Sequence, residues 1–268
     1  MDVIKSKELK KIQLDILKYV ASFCDKNGIK YWLTCGTLLG AVRHSGYIPW
    51  DDDIDIGMLR DDYNRFLSLF NDNAPTKYKL LDHTIQNDYF LPFGKVADLT
   101  TVLYEPDEKG LKLNVNIDIF IYDYAPQNHR KLLRAYKRCA RLRDLNLLRN
   151  YSFSTTKCRI KRFLIKIIKF FISVFPKDFF VKRINSVAIK CGGKSKSFLG
   201  NFLSYTKIQC PTELIKSTVK IQFEDDFFFA PVDYDSWLKA FYGDKYMQLP
   251  PVEKRLSKHT FIAYYDNK

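Results

Sequence analysis

The chain has 268 residues, 46% of them hydrophobic, and a formal net charge of +14, enough to bury a sizeable core in one large domain or two modest ones. Its six cysteines are far apart, with no C-x-x-C pair and no His at zinc-finger spacing, which argues against a cysteine-held metal and fits small core thiols in a reducing compartment. The N-terminus is charged and periodic rather than leader-like, and the longest apolar stretch, "RFLIKIIKFFISVFP", is interrupted by Lys166 and Lys169 and stopped by Pro176, too short and too charged to span a bilayer.

Leu9, Ile12, Ile16, Val20 and Phe23 recur at helical spacing and predict a helix over 7–24. "DKNG" at 25–28 ends it, with Gly28 suited to the left-handed residue after the last turn. "IKYWLT" reads as a short strand running into "CGTLLGAVRHSG", where Gly36-Thr37 sits at a strand-to-helix turn. "WDDDIDIG" at 50–57 then sets four carboxylates, Asp51, Asp52, Asp53 and Asp55, beside isoleucines in a basic protein. Strand side chains alternate between faces, so Asp53, Asp55 and Gly57 share one face while Ile54, Ile56 and Met58 anchor the other. "LRDDYNRFLSLF" follows as a helix with acids in its first turn.

Lys95 lies in "PFGKVAD", another strand. "NVNIDIFI" at 114–121 repeats the alternation, with Val115, Ile117, Ile119 and Ile121 facing one way and Asn116, Asp118 and Phe120 the other. An Asp in an aliphatic strand is costly unless it is paired or bound to a cation. From 129 to about 191 the pattern is helical, with breaks near Asn150 and at Pro176, and residues 129–207 hold 21 Lys and Arg against Asp144 and Asp178, a balance of +19 that leaves −5 elsewhere. "VKIQFEDDFFFAPV" reads as a hairpin turning at Glu224–Asp226, and "DYDSWLKAFYGDKYMQLPP" as a short helix and a Gly/Pro-rich loop.

Three chemistries compete for the aspartates. An EF-hand fails in register, because counting from Asp51 puts Ile56 at the sixth position and Asp62 at the twelfth. A solvated acidic turn explains "DDD" but neither the alternating isoleucines nor Asp118. A site for hard Mg²⁺ or Mn²⁺ explains both, with Asp53, Asp55 and Asp118 as a three-carboxylate platform and the Gly36-Thr37 turn offering backbone N–H groups to a phosphate.

The run "GTLLGAVRHSGYIPWDDDIDIGMLRDDYNRF" resembles the signature of the LicD family of phosphotransferases, distant relatives of the fukutin-related proteins, and "VNIDIFIYD" and "APVDYDSWLKAFYGDKYMQLPP" support it. The resemblance implies an α/β (α+β) nucleotidyltransferase-like mixed sheet flanked by helices. Residues 1–125 would form the catalytic core, 126–207 an inserted basic helical region, and 208–268 a segment completing the core. It implies transfer of a phospho-substituent, phosphocholine foremost, from a CDP-linked donor to a hydroxyl of a cell-surface glycan (teichoic acid, lipopolysaccharide or capsule precursor), with release of CMP and dependence on Mg²⁺ or Mn²⁺. Asp53, Asp55 and Asp118 would be the catalytic and metal-binding residues. Gly36, Thr37, Arg43, His44 and Lys95 would bind the donor phosphates, with Asp51, Asp52, Trp50, Arg255 and His259 as secondary candidates. Trp50, Tyr47, Tyr122 and Tyr124 flank the acidic strands and are candidates for a cation–π box around a quaternary ammonium. A glycosyltransferase using a nucleotide sugar, transfer of glycerol- or ribitol-phosphate, and a non-enzymatic membrane-binding protein remain as alternatives.

Residues 157–183 mix aliphatic and aromatic residues with Lys and Arg, as helices on anionic bilayers do. No nucleic-acid recognition motif accompanies the charge, so no nucleic-acid partner is expected, and packing on the chain's own core is the competing expectation. The combined expectation is a cytoplasmic enzyme, peripheral at the inner face of the membrane.

Overall fold

A computed structural model describes residues 3–104, 113–150, 159–193, 195–204, 206–256 and 262–266. A short strand β1 (Val3–Ile4) leads into the long helix α1 (Ser6–Asn27), which Gly28 ends at φ 60, as its sequence requires. Next come β2 (Trp32–Leu33), α2 (Cys35–His44), β3 (Asp55–Leu59) and α3 (Arg60–Asn73). Asp61 and Asp62 stand in the first turn of α3, where acids favour the helix dipole. Strands β4 (Tyr78–Leu81), β5 (Gly94–Asp98), β6 (Thr101–Tyr104) and β7 (Asn116–Ala125) follow.

The main sheet runs β2-β3-β7-β5-β4, with β3 and β7 parallel and the other neighbours antiparallel. It is a mixed sheet flanked by helices, an α/β fold. Its centre is where the two aliphatic faces meet: Ile54, Ile56, Met58, Ile117, Ile119 and Ile121 are all buried. Helices α1 and α3 close over the sheet through edge-on contacts of Phe23 with Phe66 and Phe70. Strand β3 begins at Asp55, so Asp53 precedes the ladder rather than lying in it.

The basic region forms α4 (His129–Asn150), α5 (Arg159–Ser173) and α6 (Phe179–Cys191), with breaks where Asn150 and Pro176 predict them. Several contacts join it to the sheet. Strand β8 (Phe198–Gly200) pairs with the far end of β7 and with β9 (Cys210–Pro211). Arg60 grips Asp123 of β7 through two bonds of 2.9 and 2.6 Å and donates to Asn185 of α6 at 2.9 Å.

The predicted hairpin is β10 (Thr218–Phe223) and β11 (Asp226–Pro231). Its turn residue Glu224 accepts the Tyr47 N–H at 2.9 Å and donates its own N–H to the Ser45 carbonyl, fixing the loop between α2 and β3. Helix α7 (Tyr234–Tyr242) seats Trp237 edge-on against Trp32. Finally β12 (Ile262–Tyr265) lies between β1 and β6 in a separate three-stranded sheet.

Candidate active site

Asp55 and Asp118 are direct partners in the parallel β3–β7 ladder, so their side chains leave the sheet on the same face. In front of Asp55 lies a cavity of about 660 Å³ whose lining includes Asp51, Asp53 and Asp55 but not Asp118. The Thr37 hydroxyl accepts the Asp55 N–H at 2.7 Å, so the start of α2 fixes the backbone that carries this carboxylate. Gly36 lines the cavity beside it. A Cβ there would stand 2.6 Å from Asp51 Oδ2, so any larger residue would displace the Asp51 carboxylate. Cys35, also in the lining, holds the left-handed backbone conformation at φ 48, a strained geometry for a residue with a side chain.

Burial, and then the nearby charges of Asp53, Asp118 and Asp51, push the Asp55 carboxyl well above the usual carboxylate range, with Lys95 opposing them. The same surroundings raise the Cys35 thiol, by burial first and Asp55 next. Lys95 is ion-paired with Asp118 and donates to Asn116 Oδ1 at 3.0 Å. Among the described residues no three His, Cys, Asp or Glu side chains are drawn together as a ligand cluster. The donor chemistry nevertheless fits a hard divalent ion, because the cavity offers carboxylate oxygens and Asp55 is buried among like charges that a cation would offset.

The other expected site residues are spread between the cavity and its supports. Thr37 is buried and its hydroxyl orients the Asp55 backbone. Lys95 is engaged with Asp118 and is not in the cavity lining. His44 accepts from Arg43 Nε at 3.0 Å, and partial burial and the adjacent guanidinium lower its pKa, so it supports Arg43 as a neutral ring. Arg43 lines the cavity and donates to the Tyr246 carbonyl at 3.2 Å. Asp52 is not in the lining, and its carbonyl accepts from Gln13 of α1 at 2.9 Å. Arg255 stacks over the Trp50 ring, 5.5 Å from its centroid, at the cavity wall. His259 lies outside the described residues.

The aromatic surroundings also differ from expectation. Tyr47 donates to Lys10 and Gln13, and Tyr122 is buried against Thr34. Tyr124 lies toward the other end of β7, opposite β8. The rings at the cavity are Trp50, Phe120, Tyr242 and Tyr246, with Lys245 and Gln248 beside them. Phe120 was legible, two residues beyond Asp118 on the same face of its strand. Nothing in the local pattern separates Tyr242, Lys245, Tyr246 and Gln248 from the rest of the α7 loop, and only folding brings them over the acids.

Comparison with known proteins is decisive. Residues 28–90 match the LicD/FKTN/FKRP nucleotidyltransferase domain. The lipopolysaccharide cholinephosphotransferase LicD of Haemophilus influenzae is 32% identical over 98% of this chain and 99% of its own length. The chain belongs to the LicD family. It is therefore a transferase that moves a phosphate-linked group onto a glycan. More distant similarity links this chain to the human ribitol 5-phosphate transferase FKRP, 47% identical over 17% of this chain and 9% of that protein. An uncharacterized Rickettsia typhi protein is 32% identical over 46% of this chain and 38% of its own length.

Proposed function

We propose that this protein transfers phosphocholine from a CDP-linked donor to a hydroxyl of a cell-surface glycan precursor, releasing CMP, and works peripherally at the inner face of the membrane. One observation carries the reading: Asp55 and Asp118 are in register on one face of the sheet, and Asp55 lines a cavity whose walls combine cationic side chains with aromatic rings. Asp53, Asp55 and Asp118 would hold Mg²⁺ or Mn²⁺, which supplies neutralisation of the donor diphosphate. Arg43 and Lys245 bring positive charge to the donor phosphates, with the Gly36 N–H in the first turn of α2 beside them.

The acceptor oxygen attacks the phosphorus of the phosphocholine group in line. Its new P–O bond forms as the bond to the CMP oxygen breaks, and its proton passes to Asp118, which Lys95 orients. Trp50, Phe120, Tyr242 and Tyr246 offer ring faces to the quaternary ammonium, which has no hydrogen-bond donor to present, each ring contributing about 0.5–2 kcal/mol. The full-length similarity to a cholinephosphotransferase supports phosphocholine over a polyol phosphate, since the ribitol-phosphate transferase matches cover 17% to 48% of the chain.

The test is incubation with CDP-choline, CDP-glycerol, CDP-ribitol or UDP-sugars, plus Mg²⁺ and a lipid-linked glycan, following CMP or UDP and the acceptor's mass. CMP released from CDP-choline, with the acceptor heavier by one phosphocholine and the reaction stopped by chelator, is the expected result. UDP release alone would overturn it, and CMP from CDP-ribitol or CDP-glycerol alone would reassign the substituent.

A further inference from the structure

Helix α5 turns its apolar side away from the protein. Ile160, Phe163, Leu164, Phe170, Phe171 and the following Val174 are all more than half exposed, from 52% for Leu164 to 76% for Val174. At 3.6 residues per turn these positions fall within an arc of roughly 120°. Ile172, which is buried, lies about 140° from the centre of that arc. The arc is one continuous stripe, unlike the single apolar residues scattered over ordinary surfaces. Lys166 is exposed at its flank, and the surrounding segment 129–207 carries +19.

We propose that this face docks on an anionic lipid bilayer, with the helix lying along the headgroup boundary, its rings in the acyl region and Lys166 among the phosphates. The occupant must accept six large apolar side chains and also answer a strongly positive surround. A bilayer containing anionic lipid offers both in one plane. A second copy of the chain would set one +19 segment against another, and a nucleic acid has no apolar surface for the stripe. The helix is too short to cross: 15 residues span about 22 Å against a hydrocarbon core of about 30 Å. No helix among the described residues is long and apolar enough to do so. Docking goes beyond the transfer chemistry and does not depend on it.

The test is co-sedimentation of the full chain with vesicles of phosphatidylcholine alone, or with about 30 mol % phosphatidylglycerol added. The native chain is expected to bind the anionic vesicles at least roughly tenfold more tightly, with salt weakening the preference. Phe163→Glu with Phe171→Glu should abolish binding, and Lys166→Glu should reduce the preference for anionic lipid. Unchanged circular dichroism and melting temperature would show that these surface variants fold. Absence of native binding to anionic vesicles, or full binding by the double variant, overturns the proposal. So does a native dimer that the double variant converts to monomer, which would assign the face to a second copy. CMP release with a water-soluble acceptor, measured in parallel, should be equal in native and double variant, so a failure of the transfer reading leaves the vesicle result intact.

Discussion

In the β3–β7 ladder, isoleucine and methionine side chains are buried to the last atom, while in α5 isoleucine and phenylalanine stand largely in solvent. Both segments alternate apolar residues with charge, and both keep the two kinds on separate faces. The ladder has another apolar face to close on, so its alternation becomes a rigid mount for carboxylates. Among the described residues α5 packs against α4, and its larger apolar face is exposed. Periodicity decides which residues share a face, but what that face meets is decided elsewhere in the chain.

The contrast is tested most severely at the acidic face. Asp55→Asn should lower kcat/KM at least about a hundredfold, or ~2.7 kcal/mol in the transition state, while the melting temperature stays at or above the native value, since one member of a crowded acidic group is neutralised. Loss of folding together with activity would mean that Asp55 is structural. Phe66→Ala, at a fully buried ring between α1 and α3, should lower unfolding free energy by about 3–5 kcal/mol in urea titrations.

Arg60→Ala strips the bidentate partner from the buried Asp123 and cuts the link to Asn185. A loss of about 3 kcal/mol is expected, with hydrogen exchange rising first in α6. A uniform rise across the main sheet would show that the two regions do not unfold separately. A smaller effect is expected at Asp82. Burial would raise its carboxyl, but His83, the Tyr63 hydroxyl and Thr84 outweigh burial and hold it below the usual range. A lowered folded-state pKa stabilises above the unfolded value near ~3.9 and is lost as pH falls toward the folded one. Asp82→Asn should therefore flatten the acid side of the stability profile, by on the order of 2 kcal/mol. Smallest of all, Phe171→Ala should change stability by less than ~0.5 kcal/mol, the counterpart of Phe66→Ala; a large loss would show that α5 is packed after all.

Much of this was legible in the residues. Ile54, Ile56, Ile117 and Ile119 reveal two strands by alternation, Gly28 marks the end of α1, and Glu224 marks the hairpin turn. That the two acidic strands are neighbours followed only from the cost of leaving Asp118 alone in an aliphatic run; the register that sets it opposite Asp55 is a tertiary fact. A hydroxyl at a helix start can serve a ligand or a backbone, and the residues alone do not show that Thr37 accepts the Asp55 N–H. The Lys95–Asp118 pair is hidden for a similar reason, since the partner comes from a strand 23 residues later. The sheet formed by β1, β6 and β12 left no signal, as strands of two to four residues are too short to show a period.

Strand β7 has one further consequence. It carries Asp118 near its start and Asp123 near its end, and Asp123 is where Arg60 clamps the helical layer. Five residues of extended chain separate the two by about 16 Å, and a strand inside a sheet neither stretches nor swings. If the helical layer rests on lipid, Asp118 and its neighbour Asp55 are held at a set height above it, as on a fixed gauge rather than a tether. The position modified along a membrane-borne glycan would then be chosen by how far it stands from the surface, and lengthening the carrier beneath an otherwise identical sugar would change which hydroxyl receives the group.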